Sequence, residues 1–419
     1  MKMNCKALGG RTARTRRKLK TMCFLLLLTA AFSCILSSAA GSLPDEIYVS
    51  SSYVTSGKTV SFGANSCISI PASQVNAAGD DITENRSAYA SLFGAVPLKR
   101  INVIISGERS VYLSGQPVGI AISADGIVIA DTVDVATSAG PVNPGRIAGL
   151  SGGDIITSIN GTAAGCAADL LNAVEDSSGN PLTLCIRGID GSERNTMLTP
   201  VYSLTDCCYR AGIWVRDSTA GIGIMTFVDP ETQVFGALGH AICDSDSGMI
   251  IPMTGGILTD AVLTGINRGT KGHPGELIGS LGSKQLGTLL LNDCTGVYGI
   301  FSGELSEKQL IPVAPKHEVR EGAAQLLTTL PGHTRPELFD IVIEQINYDN
   351  SSPTRSMVIR VTDTRLLELT GGIVQGMSGS PIIQQDRLVA AVTHVFVNNP
   401  TKGYAIFSEN MIINEHLFH

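Results

Sequence analysis

The sequence is poor in aromatic residues, which make up only 5% of its 419 positions, and Trp214 is the single tryptophan. Because few large rings are present, the cores must rest on Val, Ile, Leu and Ala, which favours β-rich packing. Charged residues are also few, at 16%, whereas 46 glycines supply many turns. A hydrophobic share of 43% is typical of a folded protein, and the length suggests two or three domains.

Acidic residues are absent before Asp45, whereas eight lysines and arginines lie in residues 1–20. Without those eight cations the formal net charge falls from -7 to -15, so the body is acidic, which argues against nucleic acid as a partner. The basic start runs into apolar Met22–Leu36 and the small residues Ser37–Gly41, a pattern typical of a secretory signal. We predict that residues 1–41 are a signal peptide or an uncleaved membrane anchor, and that the rest is exported.

The sequence has no Cys-x-x-Cys pair. Three of its ten cysteines lie in residues 1–41, which leaves an odd number in the body: Cys67, Cys166, Cys185, Cys207, Cys208, Cys243 and Cys294. This pattern argues against a zinc site and against a regular disulfide framework. We therefore expect no metal and no cofactor, and most of these thiols should be small buried side chains.

The sequence after residue 41 divides into three parts. Residues 42–98 are rich in Ser, Ala and Asn and predict a short β-rich segment. Residues 99–200 contain two strand-like runs around an Asp125-Gly126 turn, then Gly153-Asp154 before a strand, and a short helix from about Ala167 to Glu175. Residues 201–419 hold short strands separated by Gly and Asp-Pro, which favours a β-barrel or sandwich, although residues 335–346 could be helix or strand.

The middle part resembles a PDZ domain through Ala148-Gly149-Leu150, Gly153-Asp154-Ile155-Ile156 and Ile159-Asn160-Gly161. PDZ domains bind a peptide as an added strand beside a helix. The resemblance places the binding strand at four consecutive residues: Gly119, Ile120, Ala121 and Ile122. A small β-sandwich with one helix and no ligand is the alternative.

A loop of small residues, Gly376-Met377-Ser378-Gly379-Ser380-Pro381, separates two apolar runs. A serine nucleophile needs a base and needs N–H donors for the oxyanion, and glycine lets such a loop bend so that these N–H groups converge. The loop resembles the nucleophile loop of chymotrypsin-like proteases. That resemblance assigns Ser378 as nucleophile and the N–H groups of Gly376 and Ser378 as the oxyanion hole, with Ser380 as a lesser candidate nucleophile.

Seven histidines could supply the base, and His240 fits best because it follows a Gly at the end of an apolar run. His394 alternates with apolar residues and predicts a strand residue beside the site. Of the other five, His273 lies in a polar glycine-rich loop and His416 and His419 lie in the tail, and the remaining two are His317 and His333. An acidic residue should orient the base. Asp363 gives the chain order His, Asp, Ser, but the spacing leaves other aspartates open: Asp229, Asp244, Asp246 and Asp260.

Residues 95–419 resemble the stage IV sporulation protein B family of serine peptidases. The resemblance rests on "FGALGHAI", "NRGTKGHPGEL", "VTDTRLLELTGGIVQGMSGSPIIQ" and "AVTHVFVNNPTKGYAIF". It implies His240, Asp363 and Ser378 as the catalytic residues. It also implies export into the forespore intermembrane space, self-cleavage, and cleavage of a regulatory subunit of a membrane-embedded protease, which signals activation of sigma factor K.

We therefore predict a mainly β protein, in which a small PDZ domain (99–200) precedes a chymotrypsin-like double β-barrel peptidase domain (201–419). Two other readings remain at this point. One is a non-catalytic extracytoplasmic PDZ adaptor with an inactive protease-like barrel, against which the intact His240, Ser378 and glycine loop argue. The other is a stress protease of the trypsin-plus-PDZ type, in which the PDZ domain usually follows the protease.

Overall fold

The computed structural model describes residues 6–41, 43–50, 53, 56–62, 67–76, 86–188, 190–244, 248–305, 310–349 and 351–413. Asp246, His416 and His419 lie outside these ranges. The chain divides into two compact units. Unit 1 comprises Met1–Glu108, Pro315–Arg320 and Asn347–Ser351, and unit 2 comprises Arg109–Ala314, Glu321–Ile346 and Ser352–His419.

Unit 1 begins with a long helix, α1, that spans Lys6–Gly41. Its 18-residue segment Phe24–Gly41 has a mean hydropathy of 2.0 and is long and apolar enough to cross a membrane. At 1.5 Å per residue the segment measures about 27 Å, close to the ~30 Å hydrocarbon core. The small residues Ser37–Gly41 thus continue the helix, and secretory signal sequences share this apolar character.

The rest of unit 1 is built on a five-stranded sheet. Its strands are β1 Glu46–Ser50, β2 Val60–Phe62, β3 Ile68–Ile70, β4 Arg86–Leu92 and β5 Val96–Ser106, and a short helix, α2, spans Ala72–Asn76. The strand order is β1-β5-β4-β3-β2, with β1 parallel to β5. Ile47 and Val49 are buried on one face of β1, as the two-residue period of a strand requires. The sheet continues past residue 98, the end expected from the sequence.

Unit 2 contains two closed barrels and an insertion between two strands of the first. Its strands up to Pro312 are β6 Ser110–Leu113, β7 Pro117–Thr132, β8 Val135–Thr137, β9 Gly140–Val142, β10 Ile155–Ile159, β11 Thr162–Ala163, β12 Leu182–Arg187, β13 Glu193–Leu198, β14 Val201–Ser203, β15 Cys208–Arg210, β16 Ile213–Val228, β17 Val234–Ala237, β18 Met253–Asn267, β19 Glu276–Asp293, β20 Gly296–Phe301 and β21 Leu310–Pro312. Two helices lie among them, α3 Pro144–Ile147 and α4 Ala167–Asp176. Barrel 1 closes in the order β7-β18-β19-β20-β17-β16 and back to β7.

Strands β7 and β16 are each 16 residues long and belong to two structures at once. The two strands pair in two regions. The first, from Pro117 to Ser123 on β7, lies in barrel 1, and the second, from Val128 to Thr132 on β7, extends beyond the barrel. We call residues 125–216, which lie beyond the barrel, the inserted subdomain; its sheet runs β13-β12-β10-β7. The expected hairpin turn at Asp125-Gly126 is absent, because this pair only bends one continuous strand, with Gly126 at φ 114.

The predicted peptide-binding residues Gly119, Ile120, Ala121 and Ile122 lie in the barrel half of β7. One edge of these residues pairs with β16 and the other with β18. A PDZ groove requires a free strand edge, and here neither edge is free. These four residues are therefore barrel strand residues, which corrects the prediction. The boundary expected at residue 200 is also corrected. The inserted subdomain continues to residue 216, and β7 and β16 each belong both to it and to barrel 1.

In the inserted subdomain, helix α4 covers the beginning of β16. Its buried residues Leu170 and Val174 belong to an apolar cluster against which Ile213 and Val215 pack. Residues 213–216 in turn pair with β7. The chain's own β16 therefore occupies the edge of β7 beside α4. The helix predicted from about Ala167 to Glu175 is confirmed as α4.

Barrel 2 is formed by the last part of unit 2. Its strands are β22 Gly322–Thr328, β23 Glu337–Ile346, β24 Met357–Val361, β25 Pro381–Gln384, β26 Arg387–Val395 and β27 Lys402–Phe407, with helices α5 Thr364–Thr370 and α6 Ser408–Ile413. The barrel closes in the order β22-β23-β24-β27-β26-β25. The segment that could be helix or strand is strand β23, because its buried residues Phe339, Ile341 and Ile343 alternate.

The two barrels share an apolar core. Phe227 and Tyr298 from barrel 1 lie in one buried cluster with Leu388, Ala391 and Ile406 from barrel 2. Burying a side chain the size of Phe227 contributes on the order of 2–3 kcal/mol. This shared core fixes the cleft between the barrels, where the candidate site lies.

Candidate active site

The cleft between the barrels contains a pocket of about 540 Å³. His240 and Ser378 both line it, and so do Gly376 and His394. The volume lies within the usual range for a ligand-binding pocket. The structure thus brings together the histidine, the serine and the glycine that the sequence singled out.

His240 is carried by a sharp bend after strand β17. Leu238 and Gly239 both have left-handed backbone conformations, with φ 67 and φ 71, which turn the chain out of the barrel. The Nδ1 atom of His240 lies 2.8 Å from the carbonyl oxygen of Ala241. A carbonyl only accepts, so Nδ1 carries the proton and Nε2 keeps a free lone pair. This is the tautomer that a general base needs.

Asn292, which the sequence analysis did not single out, clamps the segment that follows His240. Its Oδ1 accepts from the N–H of Ile242 at 2.8 Å. Its Nδ2 donates to the carbonyls of Ile242 at 2.9 Å and Ile251 at 3.0 Å. One asparagine on β19 therefore fixes the loop that presents the base. No local motif marks such a residue, because its partners lie about 40 to 50 positions away in the sequence.

The serine loop depends on glycine at two positions. Gly376 and Gly379 have φ 91 and φ 90, a conformation that is strained for other residues. A Cβ at Gly379 would also lie 2.0 Å from the carbonyl oxygen of Ile224. Ile224 and Thr226 of β16 donate to the carbonyls of Ser378 and Gly379 at 2.9 and 2.8 Å. The loop is thus pinned against barrel 1 by its carbonyls.

The hydrogen bonds that hold the serine loop against barrel 1 do not use two of its N–H groups. Across the described residues, the backbone N–H groups of Gly376 and Ser378 make no hydrogen bond, whereas those of Met377, Gly379 and Ser380 do. Two unengaged N–H donors, one on the serine and one two residues before it, are what an oxyanion hole requires.

The Ser378 hydroxyl donates to the carbonyl oxygen of Thr393 at 2.7 Å. Ser380 is different, because its side chain is fully buried and its hydroxyl donates to Oγ1 of Thr328 at 3.0 Å. Ser378 lines the pocket and Ser380 does not. Of the two serines, only Ser378 is placed to meet a substrate.

The structure does not place Asp363 in this pocket. Its carboxylate caps helix α5, where Oδ1 accepts from the N–H of Leu366 at 3.0 Å, and Oδ2 lies 3.4 Å from the N–H of Asp340. Asp363 therefore acts here as a helix N-cap. The predicted role as orienting acid is not supported by this geometry.

The other three candidate aspartates that the structure describes also have structural partners. Asp229 accepts from the N–H groups of Glu231 and Thr232 in a turn, and Asp260 accepts from the N–H of Lys284. Asp244 is buried and forms an ion pair with Arg216 at 2.9 Å. Among the described residues, the hydrogen-bond partner of the His240 ring is a carbonyl and not a carboxylate.

A second imidazole faces His240. The His394 ring lies 4.9 Å from the His240 ring, centre to centre, at an interplanar angle of 35°. Burial lowers the pKa of His240, and the Ala241 carbonyl opposes this in part. Burial, then His240 and Arg355, lower the pKa of His394 to about 4, even though more than a third of this residue is exposed. Both rings are therefore neutral near pH 7, and His394 is beside the site as the sequence suggested.

Three other described histidines take no part in this pocket. His273 lies in an exposed loop, His317 packs edge-on against Tyr53 in unit 1, and His333 pairs with Glu337. The histidine choice made from the sequence is therefore supported by placement.

Two six-stranded barrels with a serine, a histidine and free N–H groups in the cleft between them define a chymotrypsin-like serine peptidase fold. A comparison with protein families agrees with this class. The family model described as SpoIVB peptidase S55 matches residues 207–412. Over these residues the chain belongs to the SpoIVB peptidase family. A search of curated proteins finds no match to the chain.

Proposed function

We propose that the chain is an exported serine endopeptidase in which Ser378 is the nucleophile and His240 the general base. One observation carries the proposal: Ser378, His240 and the unengaged N–H groups of Gly376 and Ser378 meet at a single pocket. The intact family match over residues 207–412 supports it.

The reaction begins when the Ser378 hydroxyl turns from the Thr393 carbonyl toward Nε2 of His240. Nε2 takes the hydroxyl proton while Oγ attacks the peptide carbonyl carbon, and the two N–H groups hold the oxyanion that forms. His240 then gives the proton to the leaving amine, which leaves an acyl-enzyme. A water molecule, deprotonated by His240, attacks the ester carbon, and His240 then returns the proton to Oγ of Ser378 as the acyl–oxygen bond breaks and the acid leaves.

An extended substrate fits the end of strand β26. Strand β25 pairs with β26 only from Arg387 to Ala391, and Val392 bonds to Gly379 and Ser380, so the part of β26 that borders the pocket begins at Thr393. Phe396 donates to Lys402 across the β26–β27 hairpin. Alternation along a strand therefore turns the N–H and carbonyl groups of Val395 away from β27 and toward the pocket. A substrate strand can pair there and present its scissile bond to Ser378.

The wider biology follows from the family and stays part of the proposal. The substrates are proteins: the chain itself, cut within its N-terminal part, and a regulatory subunit of a membrane-embedded protease. Cleavage of that subunit signals sigma factor K activation during endospore formation, in the forespore intermembrane space. The apolar segment of α1 attaches the chain to the membrane or directs its export. The inserted subdomain occupies most of the range predicted for the PDZ domain, and we assign to it the regulatory role expected of that domain.

The test is the full chain in detergent, treated with a fluorophosphonate probe that labels activated serines. Wild type is compared with Ser378→Ala, His240→Ala and Ser380→Ala. We expect the probe on Ser378 in the wild type and in Ser380→Ala, and no labelling of the other two. Intact mass over time should show shortening only in the proteins that label.

Labelling of Ser378→Ala at the wild-type rate would contradict the assignment of the nucleophile. A wild-type protein that neither labels nor shortens would instead favour the non-catalytic adaptor.

A further inference from the structure

The pocket beside Ser378 has aliphatic walls. They come from barrel 1 and from barrel 2, and the side chains that form them include Ile120, Ile222, Leu238, Ile373, Val374 and Val395. Among the described residues that line the pocket, none is Asp, Glu, Lys or Arg. The polar groups are those of the reaction, together with Cys243, Gln375, Thr393 and His394.

A charged substrate side chain would be poorly accommodated there. Transfer of an ammonium or carboxylate from water into an apolar pocket is strongly unfavourable unless a counter-charge meets it. The guanidinium of Arg355 lies close enough to His394 to lower its pKa and stacks on the Tyr404 ring at 5.3 Å. Its charge repels a lysine or arginine side chain further. An aliphatic side chain has no such penalty and gains from leaving water.

From these walls we infer that the peptidase cleaves after an aliphatic residue, Val, Leu or Ile, and discriminates against Lys and Arg at that position. The inference rests on the proposed function, since it names the substrate class for the same serine. Single methylene groups in such pockets change kcat/KM by about 10- to 200-fold. We therefore expect at least about 100-fold higher kcat/KM for a Leu peptide than for the matching Lys peptide.

The test uses the full chain in detergent with fluorogenic peptides that differ only in the residue before the scissile bond. The set contains Val, Leu, Ile, Asp and Lys, and product masses locate each cut. The fluorophosphonate probe is applied in parallel. Labelling with preferred cleavage after Val, Leu or Ile supports the inference.

A charge introduced at the pocket rim provides the matched variant. Val397 lines the pocket and is 53% exposed, so Val397→Asp should fold. Val262 is 56% exposed on β18 and does not line the pocket, so Val262→Asp is the control. We expect Val397→Asp to raise the Lys-to-Leu ratio of kcat/KM about tenfold, and the control to leave it unchanged.

Two results separate failure of the inference from failure of the proposed function. Labelling of Ser378 with equal or better cleavage after Lys or Asp, or with no cleavage of the aliphatic peptides, overturns the inference alone. Absence of both labelling and cleavage overturns the proposed function, and the inference falls with it.

Discussion

Removal of the Asn292 side chain should weaken both the fold of the His240 loop and the activity of the base. Asn292→Ala loses three hydrogen bonds, one to the N–H of Ile242 and two to the carbonyls of Ile242 and Ile251. At about 1 kcal/mol each, the loss amounts to roughly 3 kcal/mol. In a unit of about 300 residues, with an unfolding entropy of about 2.1 cal/mol/K per residue, that corresponds to a fall in Tm of about 5 °C.

The effect on the reaction rate should be measurable separately from the effect on folding. A shift of about 1 Å in the base is enough to lower a reaction rate on the order of 100-fold. The assay is the rate of fluorophosphonate labelling of Ser378, measured well below the Tm so that folded protein is compared with folded protein.

The matched control is Asn267→Ala, which removes an exposed hydrogen bond between Asn267 and Glu276 at the other end of the same β18–β19 hairpin. It should lower the free energy of unfolding by less than about 1 kcal/mol and leave labelling intact. An Asn292→Ala protein that labels at the wild-type rate would refute the claim that this side chain positions His240.

Three further results are expected. Ser380→Ala should label normally yet lose about 1 kcal/mol of stability, because its buried bond to Thr328 is lost; loss of labelling would contradict this. Asp363→Ala should lower the stability of the barrel by about 1 kcal/mol in thermal unfolding, whereas Asp363→Asn should restore it, since Asn also caps helices; equal melting of both variants would argue against the cap. His240 must be neutral to act as a base, and its pKa is lowered from 6.5, so kcat/KM should fall only as pH drops through that lowered pKa. In His394→Ala, water reaches the His240 ring and the fall should move to higher pH, whereas His394→Phe keeps the ring covered; a profile that His394→Ala leaves unmoved would count against this.

The sequence predicted the chemistry of the serine loop because that chemistry is local. Gly376, Ser378 and Gly379 lie within four consecutive residues, and the two glycines adopt backbone conformations that only glycine tolerates easily. His240 could be chosen because the apolar run before it indicates the end of a strand and the glycine next to it indicates a tight bend. The short strands with regular turns predicted a β-barrel or sandwich, and the resemblance of the serine loop to chymotrypsin-like proteases made this a double barrel.

The errors arose where a residue's role depends on distant partners. The residues Gly119–Ile122 have the composition of a PDZ binding strand, but their neighbours are β16 and β18, about 100 and 140 positions away. Asp363 precedes the helical stretch "TRLLELT", which is a helix-start signal that competes with a catalytic reading. Spacing alone does not decide between the two roles.

The shared strands β7 and β16 also constrain how the protein folds. Thr132 and Ile213 pair directly, yet about 80 residues of chain separate them. Closing a loop of that length carries a large entropy cost and slows folding. If the inserted subdomain folds first, it brings these two residues together, and the pairing can then extend residue by residue into the barrel. The subdomain would thus act as the nucleus of a hairpin whose far end carries the groups that hold Ser378, and substitutions in its core, such as Leu170→Ala, should delay the appearance of activity after refolding more than they reduce its final level.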